Sequence, residues 1–144
     1  MATDAKKALP IPEPVVNLFD GQLRVGFMST IRPDGHAAIV PIGVMIHDGL
    51  LRISSRADTA KIRNLLGNPN ISVCVTDPED PTRYVTIRGK AELADDVDRA
   101  FVNWMARTHM GVDEYPYEPA DVARVVITVH PERFSMPKVH GSNR

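Results

Sequence analysis

Three strand-like runs follow one another early in the chain, separated by two tight-turn signals. Residues 23–32 (LRVGFMSTIR), 36–47 (HAAIVPIGVMIH) and 50–55 (LLRISS) are rich in apolar and β-branched side chains. A Pro-Asp-Gly triplet separates the first two runs and an Asp-Gly pair separates the last two. Both are typical of hairpin turns, and strands joined by such short turns pair antiparallel. The sequence therefore predicts an antiparallel meander over residues 23–55.

Further strands and helices are expected along the rest of the chain. Strands are predicted over 71–76, from Tyr84 to Leu93 and over 122–130, with a short extension at 134–136. Helices are predicted after Pro14, over 59–68 with Asp58 or Thr59 as the cap, and over 97–109 with Asp95 or Asp96 as the cap. Residues 77–82 and 111–121 are expected to be loops. Six or so mainly antiparallel strands with two or three flanking helices fit a closed β-barrel better than an open sheet.

The composition is that of one ordinary globular domain. A loose, Pro-rich arm is expected at residues 1–13 and a single barrel domain at 14–144. The formal net charge is −1 and no Lys/Arg block stands out, which argues against a nucleic-acid partner. No apolar run approaches the roughly 20 residues of a membrane span. The polar start lacks the core of a signal peptide, and the single cysteine favours the cytoplasm. A small-molecule partner remains by elimination.

Basic and hydroxyl side chains gather where the third strand meets the following helix. Ser54, Ser55 and Arg56 end the strand, and Lys61 and Arg63 lie in the first turns of the predicted helix. Free backbone N–H groups at a helix start, hydroxyl donors and fixed positive charge are the groups that hold a phosphate. Taken alone, the lysine fits a solvated surface position equally well.

Other residue patterns do not point to catalysis or metal binding. The five histidines form neither an H-x-H nor an H-x-x-x-H pair; they are His36, His47, His109, His130 and His140. Ser29 is not part of a nucleophile-elbow motif, and Cys74 fits a small half-buried side chain. We therefore predict no metal site and identify no catalytic residue from the sequence.

The strand–helix junction also carries a family resemblance. The run RADTAKIRNLLGNPNISV at residues 56–73 resembles the flavin-phosphate segment of the pyridoxamine 5′-phosphate oxidase-like split-barrel superfamily. In that superfamily a lysine precedes an Asn-Pro pair by seven residues, as Lys61 precedes Asn68 here. The segments VGFMSTIRPDGHAAIVPIG at 25–43 and YVTIRGKAEL at 84–93 extend the likeness over most of residues 15–130.

This resemblance implies a six-stranded split barrel that acts as a homodimer, with a flavin or deazaflavin in a groove between the subunits. Lys61 looks like the phosphate-binding lysine. The remaining cofactor contacts implied by the family are Ser54, Arg56 and Asn64 at the phosphate or polyol tail, Thr30 and Pro41 near the ring, and Tyr84 on a later strand.

Departures from the family pattern bear on the choice of cofactor. Oxidases acting on pyridoxamine phosphate usually carry Ser-Arg before the lysine, whereas this chain has Thr59 and Ala60. The sequence EYPY at 114–117 looks more like a loop of the actinobacterial branch that uses coenzyme F420. The resemblance thus implies an F420-dependent oxidoreductase acting on a small organic substrate. An FMN-dependent oxidase or reductase of the same fold and a non-catalytic cofactor carrier remain as alternatives.

A deazaflavin coenzyme would impose two further requirements on the chain. Its oligoglutamate tail calls for extra basic residues near the phosphate; the candidates are Lys6, Lys7, Arg52, Arg63 and Arg83. The product of hydride transfer needs a proton, which solvent or Tyr84 can supply.

Overall fold

Six antiparallel strands close into a barrel in the order β1-β2-β3-β6-β5-β4, which confirms the predicted fold class. The computed structural model describes residues 11–19 and 21–137. The strands are β1 (Arg24–Ile31), β2 (Ala37–His47), β3 (Leu50–Arg56), β4 (Asn70–Asp77), β5 (Asp80–Asp95) and β6 (Arg124–Ser135). Hairpins join β1 to β2 and β2 to β3, as the turn signals predict.

Short helices flank the barrel. A 3₁₀ helix over Glu13–Phe19 precedes β1, and α1 (Ala60–Gly67) connects β3 to β4. Between β5 and β6 lie a 3₁₀ turn, α2 (Ala100–Met105) and a π-helical turn over Ala106–Met110. No helix in the described ranges is both long and apolar enough to cross a membrane.

Alternation along the strands builds the barrel core. Ile71, Val73 and Val75 of β4 are buried while the residues between them are partly exposed, because successive side chains of a strand point to opposite faces. The first 3₁₀ helix adds Leu18 and Phe19 to this core. A smaller cluster lies where α2 packs against β2; it contains Met45, Phe101, Val102 and Met105.

Two predicted strand boundaries are wrong. The expected loop at 77–82 is a tight turn, because the Asp77 carboxylate accepts the Glu79 backbone N–H (2.9 Å) and β5 already begins at Asp80. The last strand runs to Ser135 rather than ending at 130. A β-bulge opposite Gly89 lets the pairing of β5 and β6 continue past Pro131.

The third predicted helix is broken into three parts. Asp98 and Arg99 adopt left-handed backbone conformations (φ 58° and 56°), which an α-helix cannot accommodate. The helix proper therefore starts at Ala100. Asp96, one of the two expected caps, accepts the backbone N–H groups of Phe101 (2.8 Å) and Val102 (2.9 Å).

Some expectations concern residues outside the described ranges. They include most of the N-terminal arm with Lys6 and Lys7, and His140 near the C-terminus. Within the described part, Ile11 packs against the barrel core and Glu13 begins the 3₁₀ helix.

Candidate functional site

The turn between β3 and α1 uses two of its own hydroxyl groups. Ser55 is buried and donates a hydrogen bond to the backbone oxygen of Arg56 (2.9 Å). The Thr59 hydroxyl donates to the same oxygen (3.2 Å), so Thr59 occupies the cap position without capping α1 through its side chain. These hydroxyls stabilise the turn that carries Lys61 into the first turn of α1.

Lys61 is a half-buried cation without a partner. Its ammonium makes no hydrogen bond or ion pair with any residue that the structure describes. Burial, and then repulsion by the Arg124 guanidinium, lower the pKa of Lys61 below its usual value. A positive charge that is partly desolvated and repelled by its neighbour favours an incoming anion.

Arg124 is close enough to Lys61 for its charge to lower the Lys61 pKa, and the sequence does not predict this residue. It is the cross-strand partner of Arg56 where β6 starts next to the end of β3. Its guanidinium donates to both carboxylate oxygens of Glu118 (2.8 Å each) and to the Ser54 hydroxyl (3.3 Å). The guanidinium carbon also lies 4.8 Å from the centre of the Tyr115 ring. Arg124 is thus held rigidly in the wall of the site.

Glu118 connects the loop at 111–121 to this wall. Its side chain is 5% exposed and also accepts a hydrogen bond from Arg99 (2.9 Å). The hydrogen bonds from Arg124 and Arg99 lower the pKa of Glu118 to about 2, so the carboxylate is ionised at neutral pH. Arg56, meanwhile, forms a two-bond pair with Asp58 (3.1 Å each). The cations outnumber the two carboxylates, and the site keeps an excess of positive charge.

Thr30 and Asn64 are brought together by the fold. The Asn64 amide donates to the Thr30 hydroxyl (3.1 Å), and their exposures are only 9% and 1%. This bond fastens α1 to the end of β1. The amide nitrogen of Asn64 is therefore engaged with the barrel.

Pro41 and Tyr84 lie elsewhere. Pro41 is exposed on the outer face of β2, opposite Phe27 of β1. Tyr84 is half-buried and pairs with Thr76 near the end of β4, whereas α1 leads into the start of β4 at Asn70. Six strand residues correspond to about 20 Å, so the two ends of β4 are well separated. Within one chain the structure does not bring Tyr84 to Lys61.

The basic residues suggested for binding an acidic tail also differ in their surroundings. Arg52 contacts His47 (2.8 Å) and Thr128 (3.0 Å), and Arg83 forms an ion pair with Asp77 (3.1 Å). Both have structural partners. Arg63 is exposed on α1 and lines a cavity of about 410 Å³ between that helix and the β1–β2 turn.

The donor set fits a phosphate group rather than a metal ion. The junction carries an unpaired ammonium and a fixed guanidinium that repels it and donates to the Ser54 hydroxyl, and such groups form charge-assisted hydrogen bonds with phosphate oxygens. In the described ranges, no group of three or more His, Cys, Asp or Glu side chains is arranged to hold a metal.

Comparison with known proteins agrees with this geometry. A family model described as pyridoxamine 5′-phosphate oxidase matches residues 13–136. The chain belongs to the pyridoxamine 5′-phosphate oxidase family. The resemblance seen in the sequence is thereby confirmed, and the family is one of oxidoreductases that bind flavin-type cofactors.

Solved structures show the same fold. A protein named F420 reductase is 31% identical, with a TM-score of 0.74 over 87% of this chain and 98% of its own. A conserved hypothetical protein of Mycobacterium tuberculosis is 22% identical (TM-score 0.66; 90% and 86% covered). General stress protein 26 of Bacillus anthracis is also 22% identical (TM-score 0.63; 94% of each chain covered). No curated protein matches the chain in sequence.

Proposed function

We propose that this protein is an F420-dependent oxidoreductase that transfers a hydride between the deazaflavin and a small organic substrate. The observation that carries the proposal is Lys61, a half-buried cation with no partner among the described residues, whose charge Arg124 repels. Likeness to the F420 reductase over nearly the whole of both chains favours a deazaflavin over FMN.

In this proposal the chain supplies binding and orientation. Lys61 and Arg124 would hold the phosphate, with Ser54 and Arg56 beside them. When bound, a reduced deazaflavin supplies a hydride from its C5 atom. The pair formed by Thr30 and Asn64 keeps α1, and hence Lys61, fixed relative to the barrel. Among the described candidates for binding the acidic tail, Arg63 makes only one long hydrogen bond, from its guanidinium to the Asp58 backbone oxygen (3.4 Å).

The proposal includes a homodimer with the cofactor groove between its subunits. Val25, Phe27 and Ile39 are 69%, 51% and 66% exposed on the outer face of β1 and β2, next to Pro41. A second copy would remove this apolar face from water. Because Tyr84 lies far from Lys61 in its own chain, we infer that it acts on the cofactor held by the other subunit, as a contact or as the proton donor.

A cytoplasmic location is part of the same proposal. The chain has a single cysteine, Cys74, and so has no disulfide framework of the kind found in secreted proteins.

Titration of the purified protein with F420 and, separately, with FMN tests the proposed cofactor. Fluorescence of each cofactor reports binding, and oxidation of reduced F420 by added acceptors reports turnover. We expect F420 to bind well below about 100 μM, where binding is worth only about 5.5 kcal/mol. Binding of FMN alone would establish the FMN-dependent alternative. Tight binding of reduced F420 without oxidation by any acceptor would identify a carrier.

A further inference from the structure

A row of four polar residues crosses the outer surface of the barrel and includes no residue of the Lys61 junction. Ser29 of β1 pairs with Ser72 of β4, Ser72 pairs with Arg88 of β5, and Arg88 pairs with Arg133 of β6. Each neighbour in the row is thus a direct cross-strand partner. Residues adjacent to the row, such as Met28 and Ile87, point into the core, so the four side chains share the outer face.

The two arginines of the row face one another without compensation. Like charges directly opposite on adjacent strands destabilise a sheet. In the described structure neither guanidinium has a hydrogen bond or an ion pair, whereas the nearby Lys90 and Glu132 are matched with each other (3.8 Å). The fold therefore keeps a local positive charge that costs stability.

A β-bulge produces this arrangement. Gly89 pairs with Pro131 while Arg88 pairs with Arg133, so Glu132 is the extra residue of β6. A Cβ atom at Gly89 would lie 2.0 Å from the backbone oxygen of His130, so this close approach of β5 and β6 requires glycine. Bulges of this kind redirect side chains and are frequent next to functional sites.

The row lies in a concave part of the surface. A cavity of about 510 Å³ is lined by all four residues of the row, together with Asn70 and Glu132. Two hydroxyl donors therefore stand beside two guanidinium groups in one depression. Guanidinium groups bind carboxylates and phosphates through paired hydrogen bonds, and two of them can neutralise two negative charges.

We propose that this row, named here the Ser–Arg row (Ser29, Ser72, Arg88 and Arg133), binds a small oxyanion with two or more charges. Phosphate esters and di- or tricarboxylates are oxyanions of this kind. The row has no residue in common with the Lys61 junction, and binding to it is tested without the proposed cofactor. Ser29 shares the outer face of β1 with Val25 and Phe27, so the row lies beside the proposed subunit interface. The bound anion offsets the repulsion between the two guanidinium groups and accepts hydrogen bonds from the serine hydroxyls.

Amide spectra of the full chain test the proposal residue by residue. Titration with inorganic phosphate and, separately, with citrate should shift the ¹H–¹⁵N signals of the Ser–Arg row. The anion that binds more tightly shows whether the natural ligand is a phosphate or a carboxylate. The double variant Arg88→Gln/Arg133→Gln should weaken this binding at least about tenfold, since it removes the charge-assisted hydrogen bonds of both guanidinium groups. Lys61→Ala should leave the shifts of the row unchanged.

A matched control and a second readout keep the test decisive. Arg107→Gln removes another exposed guanidinium, from the π-helical turn, and should bind as the parent protein does. Without anion, the double variant should unfold at the same or a higher temperature, because repulsion is gone. The proposal is overturned if neither anion shifts the row, if the double variant binds as well as the parent, or if it converts a dimer to monomers, since the arginines would then face a second subunit.

Discussion

Lys61 and Arg124 are neighbouring cations with opposite expected effects on stability. Lys61 has no partner in the described structure and is repelled by Arg124, whereas Arg124 holds the buried carboxylate of Glu118. We expect Lys61→Met to leave the free energy of unfolding of the cofactor-free protein unchanged or raised. Arg124→Met should lower it by about 3 kcal/mol, because it breaks a buried ion pair. Denaturant unfolding of both variants measures the difference; equal losses would mean that Lys61 has a structural partner.

Glu118 makes stability depend on acid pH. Its pKa falls from an ordinary value of 4.5 to about 2 on folding. A carboxyl group with a lowered pKa in the folded state stabilises the fold fully above its unfolded pKa, and this contribution disappears as pH falls through the folded value. The stability difference between the parent protein and Glu118→Gln should therefore be constant near neutral pH and shrink between about pH 4.5 and 2. A difference that does not change over this range would contradict the ion-pair assignment.

At the scale of elements, α2 depends on a cap, Asp96, that precedes the left-handed residues Asp98 and Arg99. The Asp96 carboxylate accepts two of the first backbone N–H groups of the helix, which have no partner within it. Asp96→Ala should cost about 1–2 kcal/mol. Native-state hydrogen exchange at Phe101 and Val102 measures the loss, with the barrel strands as an internal reference. Asp95→Ala, which removes an exposed carboxylate one residue earlier, is the matched control.

The strands could be predicted from the sequence because their apolar positions alternate and their turns carry Asp-Gly signals. The long β6 could not, since Pro131 is typical of a strand end and only the bulge opposite Gly89 accommodates it. Helix α2 was predicted too long because its apolar stripe does not reveal the left-handed backbone at Asp98 and Arg99.

The residues of the candidate site also differ in how far the sequence predicts them. Lys61 can be proposed as a site residue from the sequence because it belongs to a local motif with a fixed spacing. Arg124 donates to a serine 70 positions away, and this contact exists only because β3 pairs with β6. Glu118 comes from a loop without regular structure, for which no periodic pattern gives a partner. The contacts of Arg124 and Glu118 can be assigned only when the pairing of the strands is known.

For the whole molecule, the proposed dimer predicts that the outer face of β1 and β2 is buried in solution. Val25→Glu places a charge on this face and should convert the dimer to monomers, measured by sedimentation equilibrium. Val97→Glu is a closely matched control, because Val97 is 70% exposed against 69% for Val25 but lies next to α2. Retained β-sheet circular dichroism would show that the barrel still folds. A Val25→Glu protein that remains dimeric would place the interface elsewhere.

The central claim is that Lys61 binds the phosphate of a deazaflavin, and comparing ligands with and without that phosphate tests it most directly. Calorimetry should show that the parent protein binds F420 more tightly than the deazaflavin polyol that lacks the phosphate and the oligoglutamate tail joined to it. In Lys61→Ala this preference should fall by about ten- to a hundredfold, the loss of one charge-assisted contact, while affinity for the phosphate-free compound stays the same. An unchanged preference, or an equal loss for both compounds, would contradict the claim.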